Sequence, residues 1–83
     1  MVEVKELEEA IKNLSQILED RTVPRNIKEA VERAKNALED ESKELKVRID
    51  AAIHALEEVS NDPNMPIYTR TQIWSIVSLL ESI

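Results

Sequence analysis

The sequence predicts an all-α protein, a compact four-helix bundle made of two helical hairpins in one domain spanning residues 1–83. Three observations predict it. Apolar residues recur at steps of three and four along four separate stretches, the mark of amphipathic helices. Prolines and clusters of Asp, Asn and Ser punctuate two of the joins between them. Glycine is absent altogether, which removes every hairpin turn that depends on glycine at positive φ.

The first helix is expected at about 3–19, where Val4, Leu7, Ile11, Leu14 and Leu18 form one stripe with Ala10 and Ile17 beside it. Glu19 to Pro24 ends it, with Thr22 an N-cap candidate for the next helix and Pro24 suited to a first turn. The second helix, about 24–39, carries Ile27, Val31, Ala34 and Leu38, and Ala30 and Ala37 allow a neighbour to come close. Residues 39–43 hold neither Pro nor Gly, so one long helix is conceivable. A break is expected because Asp40 or Ser42 can cap a new helix and the stripe restarts at Leu45. The third helix, about 43–60, shows Leu45, Ile49, Ala52, Ile53, Leu56 and Val59. Two prolines, Pro63 and Pro66, then force a turn, with Asn64 a cap candidate and Pro66 in the first turn of a fourth helix at about 66–82.

That fourth helix is apolar almost all the way round, carrying Ile67, Tyr68, Ile73, Trp74, Ile76, Val77, Leu79, Leu80 and Ile83. From Pro63 onward only Arg70 and Glu81 are charged, in a chain that is 34% charged. Thr71, Ser75, Ser78 and Ser82 form a stripe of small polar residues. Such a helix must be covered, by the rest of the chain or by a partner. Trp74, the sole Trp, either fills the bundle core or stands exposed with Tyr68 as an anchor for other molecules. The candidate partner or oligomer surface is Tyr68, Arg70, Thr71, Trp74 and Ser78. The turn before the helix is a second candidate: Asp62, Asn64 and Arg70 bring polar groups to unpaired amides, where an anion or a partner's carboxylate could dock. The alternative is that these three only cap and close their own turn.

Composition excludes several functions. Without cysteine there is no disulfide, thiol chemistry or cysteine–zinc site. Without glycine there is no phosphate-cradling loop of the P-loop or dinucleotide type. The longest apolar run, residues 73–80, is far short of the ~20 residues of a membrane span, and the acidic, amphipathic N-terminus is unlike a targeting peptide. A soluble, cytoplasmic protein without cofactors is expected. The net charge of −6 disfavours nucleic acid, although Arg21, Arg25, Lys28 and Lys35 make a weak basic patch interrupted by Glu32. His54 has Asp50, Glu57 and Glu58 within one turn, yet di-iron bundles place a Glu-x-x-His pair on each of two helices, and this chain has one His. No Asp or Glu falls on an apolar stripe, as a general acid with a raised pKa would require. The expectation is a non-catalytic protein-interaction or structural module, with a homodimer through the fourth helix as one form. The alternatives are an RNA- or ribosome-associated accessory protein and a small carboxylate-based metal binder or hydrolase.

A shift that carries Pro24 onto Pro66 also carries Leu7 onto Ile49, Ile11 onto Ile53, Asp20 onto Asp62 and Leu38 onto Leu80. Each half then reads as helix, proline turn, helix, although any two such hairpins would align about as well. The stretches 22–27 (TVPRNI), 45–48 (LKVR) and 60–66 (SNDPNMP), followed by Arg70-Thr71 and Ile73-Trp74, resemble uncharacterised protein family 0147, a group of small archaeal proteins. The resemblance covers essentially the whole chain. It implies a bundle of four helices and no activity, ligand or catalytic residue.

Overall fold

A computed structural model describes residues 5–83. It contains α1 (Lys5–Leu18), α2 (Arg25–Glu39), α3 (Leu45–Glu57) and α4 (Ile67–Glu81), with no strand among the described residues. Each helix packs on its neighbours in sequence, α1 closes on α4, and the backbones of the diagonal pairs α1/α3 and α2/α4 stay farther apart. The result is an up-down-up-down ring of helices, elongated to 39 × 19 × 18 Å. One face of each helix supplies the core: Leu14 and Ile17 from α1, Ile27, Val31 and Leu38 from α2, Leu56 from α3, and Ile73, Ile76 and Leu80 from α4. Ala10, Ala30, Ala34 and Ala52 are also fully buried, which brings the backbones together.

α2, α3 and α4 are each shorter than the periodicity suggests. α3 begins at Leu45 rather than about 43 because Glu44 is extended (φ −64°, ψ 151°), and residues 58–60 form turns after Glu57. Pro24 and Pro66 are likewise extended residues that precede α2 and α4, not members of their first turns. The expected caps are corrected too. None of Thr22, Asp40, Ser42 or Asn64 is an N-cap, and no side chain caps α2, α3 or α4. Of the α1 stripe, Val4 and the predicted start at residue 3 lie outside the described residues.

What those residues do instead is build one turn three times. Asp20, Asp40 and Asp62 each donate a backbone N–H to the carbonyl three residues back, of Ile17, Ala37 and Val59 (3.1, 3.3 and 3.1 Å). Each Asp Oδ1 accepts the N–H two residues on, from Thr22, Ser42 and Asn64 (2.9, 3.1 and 2.8 Å). Each Asp carbonyl accepts the N–H three residues on, from Val23, Lys43 and Met65 (3.3, 3.2 and 3.1 Å). The next residue, Pro24, Glu44 or Pro66, is extended, and its carbonyl accepts the N–H of Lys28, Arg48 or Arg70. The aspartate side chain thus closes a turn on the backbone two residues on, and the chain reverses without a left-handed glycine. Among the described residues no φ is positive.

Two of the turns share one end of the bundle. Asn26 Nδ2 donates to Asp62 Oδ2 at 2.6 Å, tying the start of α2 to the α3–α4 turn. Val23 and Met65 plug that end as buried members of the core. The middle turn sits at the other end and has exposed Lys43 where its siblings have an apolar plug. That end also receives the C-terminal part of α4.

Candidate functional site

The outer face of α4 is where this surface departs most from the rest. Thr69, Ile73, Ile76 and Leu80 face inward and are buried. Helical spacing therefore turns Ile67, Thr71, Trp74 and Ser78 outward, and all four are exposed. Trp74 is 59% exposed, Tyr68 70% and Ile67 82%. The single Trp is thus not part of the bundle core. α1 and α3 each cover one flank of α4, and the ring geometry leaves its outer face to solvent.

That face carries no charge between Arg70 and Glu81. Thr71, Trp74, Ser75, Ser78, Leu79 and Ser82 line a shallow concavity along it. On the α1 side, Asn13, Gln16, Thr71, Gln72 and Ser75 line a smaller cleft of about 210 Å³. The Gln72 Oε1 atom is buried there without a hydrogen-bond partner in the protein. Trp74 therefore stands in a neutral, hydrogen-bonding setting of hydroxyls and amides.

Arg70, named with this surface and with the preceding turn, belongs structurally to the turn. Its guanidinium donates to the Ser60 carbonyl and to the Asp62 carbonyl (3.0 Å), tying the end of α3 to the start of α4. Asp62 accepts from the Asn64 amide and from Asn26, and these bonds, in that order, hold its carboxyl below its ordinary value, with help from Arg70. Asp20 and Asp40 are lowered in the same way, chiefly by the hydroxyls of Thr22 and Ser42 and then by their amides. Arg48 is the counterpart of Arg70, donating through Nε (2.9 Å) and Nη2 to the Leu38 carbonyl at the end of α2. The candidate anion site is thus a turn whose polar groups bond one another.

The basic patch on α2 is interleaved with carboxylates. Arg25 lies 3.5 Å from Glu29 and Lys35 lies 3.5 Å from Glu39. Lys28 stands near Asp20, and Arg21 is exposed at the turn. His54 lies 3.7 Å from Glu58, which also meets Arg33 at 2.6 Å. Among the described residues no three His, Asp or Glu side chains converge as a metal site would need. None of their helices is long and apolar enough to cross a membrane.

Comparison with known proteins gives a family without an activity. The model of an uncharacterised protein family, UPF0147, matches residues 2–83. A UPF0147 protein of Methanocaldococcus jannaschii is 60% identical over 70 residues, covering 84% of this chain and 75% of that protein. One from Pyrococcus furiosus is 46% identical over 88 residues, covering 100% of this chain and 95% of its own. Two crystal structures share the fold. A protein of unknown function, 56% identical, superposes with a TM-score of 0.91 over 94% of this chain and 89% of its own. A UPF0147 protein of Thermoplasma acidophilum, 32% identical, gives 0.88 over 93% and 91%.

Proposed function

Since the chain belongs to UPF0147, a family whose description carries no activity, its own surface must supply the reading, and we propose a non-catalytic protein–protein contact module that works through the outer face of α4. The observation that carries this is the exposure of Trp74 on a face free of charge from residue 71 to residue 80, with Tyr68 also exposed in the first turn of the helix. Interface centres are enriched in aromatic residues and depleted in Lys, Glu and Asp, and truncation of Trp and Tyr anchors there costs the most binding energy. Neutral hydroxyls and amides around an exposed aromatic add adaptable hydrogen bonding, the combination that antibody paratopes use.

The test uses the intact protein as bait in native extract, with chemical crosslinking and mass spectrometry. A recurring protein partner crosslinked beside α4, and lost in a Tyr68→Ser/Trp74→Ser double variant that melts at the parent temperature, is the expected result. A crosslink profile unchanged by that variant would refute the role of α4. A profile dominated by ribosomal components would instead favour an accessory protein of the ribosome.

A further inference from the structure

We propose that the seam between α3 and α4, at the end of the bundle away from the two proline turns, receives a basic amphipathic helix from the partner. This deepens the reading of α4 as the contact helix and rests on it. The seam is a groove of about 580 Å³. Its α3 wall is Leu45, Ile49 and Ile53, and its α4 wall is Leu80, Glu81 and Ile83. Leu45 and Ile53 are half-buried and Ile83 is 40% exposed, so apolar surface remains to be covered. Leu45, Ile49 and Ile53 lie one turn apart, a ridge of about 12 Å at 1.5 Å per residue. That length matches two to three turns of a helix offering apolar side chains at i, i+4 and i+7. The seam also leads to the outer face of α4, because Trp74, Val77 and Glu81 follow one another at helical spacing on the side turned toward α3.

Charge selects the occupant. At the seam Lys46 is spent on Asp50 at 3.1 Å, and Glu81 has no ion-pair partner among the described residues. The mouth lies beside the middle turn, where Asp40, Glu41 and Glu44 outnumber Lys43 and Arg48. The carbonyl end of α4 and the amide end of α3 meet at this mouth, so their dipoles offset and the side-chain charges decide. A second copy of this chain would bring the same carboxylates, and a net charge of −6, to face their like. A helix with Lys or Arg flanking its apolar anchors meets both the floor and the rim.

Two three-turn helical peptides without Trp serve as probes. Both carry Leu at the anchor positions, and one is flanked by Lys and the other by Glu. The Lys peptide is expected to bind about tenfold tighter or better, with salt weakening it. It should shift the backbone amide resonances of Leu45, Ile49, Ile53 and Leu80, and a folded Glu44→Lys/Glu81→Lys variant should reverse the preference. Equal binding of the two peptides, or binding of neither, overturns the proposal. So does self-association that moves the seam amides, which would give the groove to a second copy. Shifts confined to Tyr68, Thr71 and Trp74 overturn the seam while leaving α4 as the contact helix.

Discussion

Thr69 offers a test in which removing a polar group is expected to stabilise the protein. It lies on the inward face of α4 at 0% exposure, and its hydroxyl has no hydrogen-bond partner in the protein. A buried, unpaired hydroxyl costs about 1–3 kcal/mol relative to one that keeps its hydrogen bonds. Thr69→Val keeps the β-branched shape and nearly the same helix propensity. It exchanges the hydroxyl for a methyl in a site already closed to water. A gain of about 1–2 kcal/mol is expected, which in a domain of this size raises the melting temperature by roughly 4–15 °C. Thermal unfolding followed by circular dichroism and urea titration with an unchanged m-value would measure it. A melting temperature that falls or stays the same would mean that the hydroxyl is satisfied. The Met65 and Pro66 carbonyls just before α4 would then be the place to look, since a helical Thr can bond the carbonyl three or four residues back.

Three further outcomes follow from the same structure. Arg70→Met should cost about 1–3 kcal/mol because it strands the Ser60 and Asp62 carbonyls, and Arg70→Lys should recover only part of that; chemical denaturation measures both. Asp20, Asp40 and Asp62 have folded pKa values below their ordinary one, so the stability they contribute is present above that value and is lost as pH falls through the lower, folded values. A triple Asp→Asn variant should therefore show a flatter dependence of melting temperature on pH in that acid window. An equally steep loss would remove these carboxylates as its source. Leu56→Ala, at a fully buried core position, should lose about 2–5 kcal/mol in the same denaturation experiment, and a loss below about 1 kcal/mol would mean that the site is less closely packed than described.

Much of the architecture is legible in the chain because helical periodicity and burial are the same fact seen twice. Leu14, Ile27, Val31, Leu38, Leu56 and Ile73 all stand on the predicted stripes and all are buried. The turns were harder to read. Two of them announce themselves by proline and are related by the shift that carries Pro24 onto Pro66. The middle copy, Asp40 to Glu44, has no proline, so its kinship lies only in an Asp, a hydrogen-bonding residue two positions on and a basic residue eight positions on. That pattern, Asp20-Thr22-Lys28, Asp40-Ser42-Arg48 and Asp62-Asn64-Arg70, was available in the sequence. The same Asp, Ser, Thr and Asn also fit N-cap positions, and the pattern does not separate the two roles, because these residues bond their own turns as readily as a following helix. The surface of α4 was legible in part. Its lack of charge was plain, but a helix apolar on most sides does not say which side the ring will leave open. Trp74 faces solvent because Ile73 and Ile76 occupy the inward positions, and only the packing of α1 and α3 on either side decides that.

The ring of contacts also bears on the order of assembly. α1/α2, α2/α3 and α3/α4 are hairpins that close over short stretches of chain, and α1/α4 is the one pairing that must span nearly all of it. Closure entropy is therefore concentrated in a single seam, while the other three form locally and at little cost. If that seam forms after the rate-limiting step, weakening it at Leu14 or Ile73 speeds unfolding and leaves the folding rate nearly unchanged, whereas weakening the α2/α3 hairpin slows folding. The last contact made would then be the one that also holds α4 at the angle at which Trp74 meets solvent.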